Sequence, residues 1–288
     1  MTEIRILRPG DEGLLEEFLL PRIESSMFLL GNLRAVGLAD RGQHLEGTYA
    51  AAFKGGKILA VVAHYWNGNL VFQAPDHLAA LAQAAVEASG RAIQGLLGPQ
   101  AQVDAAEIAL GLDATQTMLD ETEYLYRLAL TDLVVPEGLR SGRLRGRRIE
   151  RGDLDLLTRW RVGFSLEALG EEPGERLWQR CRAIAGRSLE QGRAWILEEG
   201  GNPVATSSFN ASTAEAVQVG GVWTPPELRS RGYGRSVVAA SLLDARTQGV
   251  MMSILFTGVR NVPAQRAYTG LGFQHIGDYS LMLLHPPS

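Results

Sequence analysis

Two stretches of this 288-residue chain concentrate residues able to do chemistry. The first reads Val222-Trp223-Thr224-Pro225-Pro226-Glu227-Leu228-Arg229-Ser230-Arg231-Gly232-Tyr233-Gly234-Arg235-Ser236 and joins a strand-like segment to an amphipathic one, Val237 to Ala245. Gly232 and Gly234 allow a tight turn whose successive amides point into one concavity. A helix starting behind that turn adds unpaired N–H groups and the positive end of its dipole. Arg229, Arg231 and Arg235 surround it, so the expected ligand is a phosphate or pyrophosphate. The competing reading is a plain strand-to-helix turn with solvated arginines. The second stretch, Phe256-Thr257-Gly258-Val259-Arg260-Asn261-Val262-Pro263-Ala264-Gln265-Arg266-Ala267-Tyr268, ends the next buried strand and continues into Leu271-Gly272-Phe273.

Taken together, these stretches resemble the GNAT (Gcn5-related N-acetyltransferase) superfamily. Arg229-x-x-Gly232-x-Gly234 is similar to its pyrophosphate motif. Asn261-x-x-Ala264-x-x-x-Tyr268, followed by Gly272-Phe273, is similar to its second cofactor motif. The resemblance covers residues 147–284 and extends to 1–131 only as layout. It implies acetyl-CoA as co-substrate, with the pantetheine arm lying between strands carrying Val222 to Thr224 and Leu255 to Thr257. A bulge at Gly220-Gly221 would help hold that gap open. The segment from Ser230 through Ser236 would take the pyrophosphate, and Asn261 the pantetheine. A backbone N–H near Val222 or Trp223 would steady the acetyl oxygen. Tyr268 would return a proton to the departing sulfur; packing against Phe273 is the alternative. Many relatives place a basic glutamate on the strand before the turn, but here that place falls near Gln218. Glu215 is the one carboxylate on that strand and equally suits a solvated strand start. Glu167, Glu171 and Glu172, or a water without a dedicated base, are the other readings.

The elements that must position these residues repeat. Arg8-Pro9-Gly10-Asp11 with Leu14-Leu15 recurs as Glu150-Arg151-Gly152-Asp153 with Leu156-Leu157, an offset of 142 residues. Each Asp suits the cap of a following helix, and a period this long indicates a duplicated domain. Both halves then predict a hairpin (46–65 and 193–208), a strand (69–73 and 214–223) and a helix (76–89 and 233–247). A buried strand (92–97 and 251–257), a second helix (101–110 and 262–270) and closing strands (124–131 and 273–284) follow. The fold class is α/β (α+β), two tandem domains, each with a mixed, mostly antiparallel sheet splayed at its centre. We divide the chain into a degenerate domain at 1–135, a Pro/Gly/Arg linker at 136–146 and a catalytic domain at 147–288. In the first half, Phe72-Gln73-Ala74-Pro75-Asp76 replaces the phosphate turn, and Asp76 would repel a pyrophosphate.

Composition narrows the classes. The chain is 45% hydrophobic and 21% charged, ordinary for a globular protein. Its longest apolar run, Ile58 to Ala63, is far short of the ~18 residues of a membrane span, and the N-terminus lacks a secretory apolar region. A lone Cys181, expected as a small buried side chain, fits a reducing cytoplasm and leaves the Asn210-Ala211-Ser212 sequon idle; the resemblance to bacterial tandem acetyltransferases implies a bacterial source. The five histidines show no metal spacing, so no metal is expected. Residues 1–140 hold 10 basic against 18 acidic side chains and residues 141–288 hold 18 against 14, so only the second half leans toward anions. A net charge of −4 argues against nucleic acid. The function expected is acetyl transfer from acetyl-CoA to an amine of a small molecule or peptide, with a homodimer left open. The alternative is a non-catalytic acyl-CoA sensor or scaffold.

Overall fold

Both copies of the Gly-Asp turn close in the same way. Arg5 donates to both carboxylate oxygens of Asp11 at 2.7 and 2.8 Å, and the Arg8 N–H donates to Asp11 at 3.0 Å. At an offset of 142 residues, Arg147 donates to both oxygens of Asp153 at 2.6 and 2.9 Å, and the Glu150 N–H donates at 2.7 Å. The duplication therefore reaches individual hydrogen bonds. The aspartates differ from the expected helix caps: Asp11 makes no capping bond, and Asp153 sits third in a 3₁₀ turn, Arg151–Asp153, reciprocally bonded to Glu150. An arginine within reach wins each carboxylate because a bidentate ion pair is stronger than a neutral amide bond.

The computed structural model describes residues 2–112, 117–168 and 170–285. It divides into two compact units, each assembled from separate stretches of chain. The first takes Met1–Leu125, Phe256–Arg260 and His275–Ser288; the second takes Tyr126–Leu255 and Asn261–Gln274.

The first unit carries β1 (Glu3–Ile6), α1 (Glu12–Leu19), α2 (Ile23–Val36), β2 (Gly47–Lys54), β3 (Lys57–Tyr65), β4 (Asn69–Gln73), α3 (Leu78–Ser89), β5 (Gly95–Pro99) and α4 (Gln100–Leu110). β1 to β4 pair antiparallel in sequence order, and β2 and β3 meet at the two-glycine turn between Lys54 and Lys57. β4 and β5 run parallel. The far edge of β5 is filled from the other end of the chain: the C-terminal strand, Gln274–Leu284, pairs antiparallel with it, from Tyr279 opposite Pro99 to Leu283 opposite Gly95. Met282 and Leu284 thereby join Leu70, Phe72, Leu81 and Leu96 in one buried cluster.

The second unit opens with the chain leaving β6 (Thr117–Ala129), whose residues up to Leu125 belong to the first. It continues through α5 (Glu137–Arg140), β7 (Leu144–Arg148), α6 (Leu154–Ala168), α7 (Glu175–Glu190), β8 (Ala194–Glu199), β9 (Asn202–Ser212), β10 (Ala216–Trp223), α8 (Tyr233–Thr247), β11 (Met252–Gly258) and α9 (Val262–Thr269); the C-terminal strand is β12. β7 to β10 are antiparallel neighbours and β10 and β11 are parallel. α7 buries a stripe at helical spacing, Leu177, Cys181 and Ala185, while most of its exposed residues are charged. Cys181 is fully buried, 3.8 Å from the Ser165 hydroxyl.

The units do not follow a single cut at residues 136–146. That stretch holds α5 and the start of β7 inside the second unit, and a Cβ at Gly138 would lie 2.6 Å from the Leu144 side chain. Close packing, where a free linker was expected, leaves this glycine no room to become another residue.

Candidate active site

The centre of the second unit is a strand that loses its neighbour. The parallel ladder between β10 and β11 runs from Ala216 opposite Met252 to Val219 opposite Leu255 and stops there. On the other side, four residues from Gly220 to Trp223 oppose three on β9, Ser208 to Thr206. That mismatch is a β-bulge. Gly221 accommodates it at φ +57°, in the left-handed region that a side chain disfavours. The Ser208 hydroxyl pins it by donating to the Gly220 carbonyl at 3.0 Å. The last residues of β10 thus stay paired with β9 but not with β11, which leaves their β11-facing side open to an extended ligand.

Beyond the bulge, Pro226–Leu228 form a 3₁₀ turn and the chain enters α8 through Ser230 at φ +63° and Gly232 at φ +77°. The first helical bond that closes from this turn is the Ser236 N–H to the Gly232 carbonyl, at 3.0 Å. The amides from Ser230 to Arg235 precede it, at the positive end of the helix dipole. Ser236 differs from the sequence expectation: its amide is spent inside the helix and its side chain is buried. Tyr233 turns its hydroxyl to Glu199 on β8, so it offers the turn only its amide. Thr224 and Val222 lie beside Gly234, 3.6 and 3.9 Å from the position of its absent Cβ.

The arginines divide. Arg231 and Arg235 are exposed around the turn. Arg229 is held elsewhere: it donates to both oxygens of Glu167 at 2.8 Å and to the Thr224 carbonyl at 3.0 Å, and its guanidinium lies 4.8 Å from the centre of the Trp223 ring. Glu167 is therefore already ion-paired. Glu171 is paired with Arg180, and Glu172 is exposed.

Asn261 caps α9, its side chain accepting from the Ala264 N–H at 3.2 Å. Tyr268 is 8% exposed and meets Phe273 edge-on at 6.0 Å between ring centres. Glu215 is not brought to the bulge. It precedes β10 at the end opposite Val222 and Trp223, seven positions and roughly 20 Å before Val222. Gln218 is 2% exposed, and its side-chain oxygen has no partner. Among the described residues, β10 brings no carboxylate to the bulge.

One residue went unnoticed in the sequence. Arg161 lies on α6 in the apolar stripe with Leu157 and Phe164, where a cation is out of place. Its Nη1 is 2.8 Å from where a Cβ of Gly221 would be, so its guanidinium rests on the bulge. The recess there is lined by Trp160, Arg161, Phe164, Ser208, Gly221 and Trp223.

Comparison with known proteins places this geometry. Residues 155–273 match the family model described as Acetyltransferase (GNAT) family. A solved structure of a Drosophila protein aligns over 99% of each chain with TM-score 0.68 and 16% identity. A tandem GNAT protein from the clavulanic acid biosynthesis pathway aligns over 100% of both chains with TM-score 0.57 and 14% identity. An acetyltransferase of the GNAT family from Colwellia psychrerythraea aligns over 99% of this chain and 100% of its own, with TM-score 0.54 and 15% identity. These likenesses establish a shared fold. No curated protein matches this chain.

Proposed function

We propose, from the match of residues 155–273 to the acetyltransferase (GNAT) family model, that the chain is an N-acetyltransferase moving an acetyl group directly from acetyl-CoA to an amine. The observation that carries this reading is the end of the β10–β11 ladder at Val219 and Leu255, followed at once by the bulge and the unspent amides of the Ser230–Arg235 turn. Acetyl-CoA supplies the activated thioester. The backbone of β10 beyond the bulge holds its pantetheine arm, and the turn and helix start hold its pyrophosphate, with Arg231 and Arg235 alongside. The Val222 or Trp223 N–H steadies the acetyl oxygen as negative charge develops on it. In the transfer, the neutral amine nitrogen forms a bond to the thioester carbon while the carbon–sulfur bond breaks. Tyr268 gives its proton to the sulfur, and the proton lost by the amine passes to water, since no carboxylate stands on β10 at the bulge.

A second reading, an acyl-CoA-binding sensor without turnover, draws on that same missing carboxylate and on Gln218 in its place. Free-thiol release across a panel of amines separates the two, and binding without release from any amine favours the sensor. For the cofactor site itself, isothermal titration should register acetyl-CoA binding that weakens at least about 10-fold in Gly232→Asp. That variant sets a carboxylate among amides whose charge-assisted bonds each contribute about 1.5–3 kcal/mol. No binding by the unmodified protein would sink the proposal.

A further inference from the structure

Among the described residues, Arg161 forms no ion pair with a carboxylate. Its Nε is buried and has no hydrogen-bond partner. Among the described residues no carboxylate or carbonyl accepts from its side chain. Its one ring contact is Phe164, 5.7 Å from the guanidinium to the ring centre. Of the groups acting on its charge after burial, Cys181 favours it, while Arg180 and Arg187 of α7, of the same sign, oppose it. Guanidinium groups do not lose their proton in proteins, so burial without an acid is costly and is normally relieved by a partner. Burial pulls the Arg161 pKa down from its ordinary value, the direction expected of a desolvated, unpaired cation.

The surroundings are those of a binding site. Trp160, Arg161, Phe164 and Trp223 are each partly exposed, and Ser208 supplies a hydroxyl. The space enclosed among them is small, about 10 Å³, room for about one water. A planar anion needs more room than this, so its entry would require the Arg161 or Phe164 side chain to swing aside. The recess adjoins the backbone of Gly221 and Trp223, the end of β10 assigned above to the acetyl oxygen. We infer that Arg161 binds a carboxylate of the acceptor in this recess, so that the acceptor is an amine carrying a carboxylate, of the amino-acid type. The guanidinium fork matches a carboxylate with two parallel hydrogen bonds, which a lysine could not reproduce. This inference rests on the transfer reading for the identity of its ligand as acceptor, but carboxylate binding is measurable without transfer.

Trp160 and Trp223 line the recess, so tryptophan emission reports its occupancy. Titrate the full-length protein, without acetyl-CoA, with glycine, β-alanine, L-glutamate and L-phenylalanine, each against its carboxamide. At least one acid should bind about 10-fold or more tighter than its amide, the gain of one charge-assisted pair. Arg161→Gln should erase that preference, and Arg161→Lys should restore only part of it, while acetyl-CoA affinity stays within about 2-fold in both. Equal binding of acids and amides, no binding by any acid, or a preference that survives in Arg161→Gln overturns the inference. The acid–amide comparison on the unmodified protein needs no variant to fold. A protein that binds carboxylates through Arg161 yet neither binds acetyl-CoA nor releases thiol would overturn the transfer reading and leave the anion site standing.

Discussion

Burial and the neighbouring Glu121 push the Glu123 carboxyl in the first unit up to about 7 from an ordinary 4.5. In the same unit Arg5 draws Asp11 down to about 2. The two act oppositely on stability. Asp11 contributes above its ordinary range and its contribution is lost as the pH falls toward 2. Glu123 is tolerated best when protonated, so its contribution is full below about 4.5 and is lost as the pH rises through about 7. Glu123→Gln removes the second effect. The urea midpoint of the unmodified protein should therefore fall more between pH 5 and pH 8 than that of Glu123→Gln; parallel pH profiles would contradict the assignment. None of this was legible in the sequence, where Glu123 reads as one acid in a run of polar residues on β6. At the same scale the glycine turn that enters α8 at Gly232 was legible, because a tight turn depends on neighbours a few residues away. Arg229 was half legible: its motif position was clear, but its partner Glu167 lies 62 positions earlier.

The elements on which the site depends turn on a few close approaches. Gly163 on α6 faces the Trp223 ring, and a Cβ there would come within 2.8 Å of it. Gly186 on α7 has nothing within 4 Å of its Cβ position. The two glycine-to-alanine changes should have opposite signs. Gly186→Ala should raise stability by about 0.5–1 kcal/mol through helix propensity alone. In Gly163→Ala the same gain meets an overpacking cost of about 1–3 kcal/mol, and the displaced ring should shift tryptophan emission. Chemical denaturation followed by fluorescence measures both, and a stabilised Gly163→Ala with unchanged emission would refute the contact. The hairpins and α8 could be read from sequence because two-residue glycine turns and helical periodicity are local signals. β6 begins at Thr117 rather than near 124, since its polar first half shows no apolar alternation to reveal it.

Across the molecule, the first unit is completed by residues more than 150 positions away. β12 covers β5 and places Met282 and Leu284 in the core. A fragment of residues 1–135, a whole domain if the chain is cut by sequence, lacks that strand. It leaves an open edge, a known route to aggregation, and a cavity where two apolar side chains belong. Circular dichroism should find no cooperative thermal transition in this fragment, whereas a sharp two-state melt would show that β12 is dispensable. None of the described helices is long and apolar enough to cross a membrane, and no described cluster of His, Cys, Asp and Glu could hold a metal.

By itself the sequence determined the duplication, the α/β class and the two cofactor-type motifs, all of which are written in spacings of a few residues or in one fixed offset of 142. Only the tertiary structure decided which strand closes the first unit, that Glu215 and the bulge lie at opposite ends of β10, and that Arg161 sits partly exposed beside the bulge without a carboxylate partner among the described residues. These depend on pairing across long stretches of chain and on which charges fail to meet. Local pattern encodes the shape of each element, but an edge without a neighbour, or a cation without a partner, exists only once the elements are assembled.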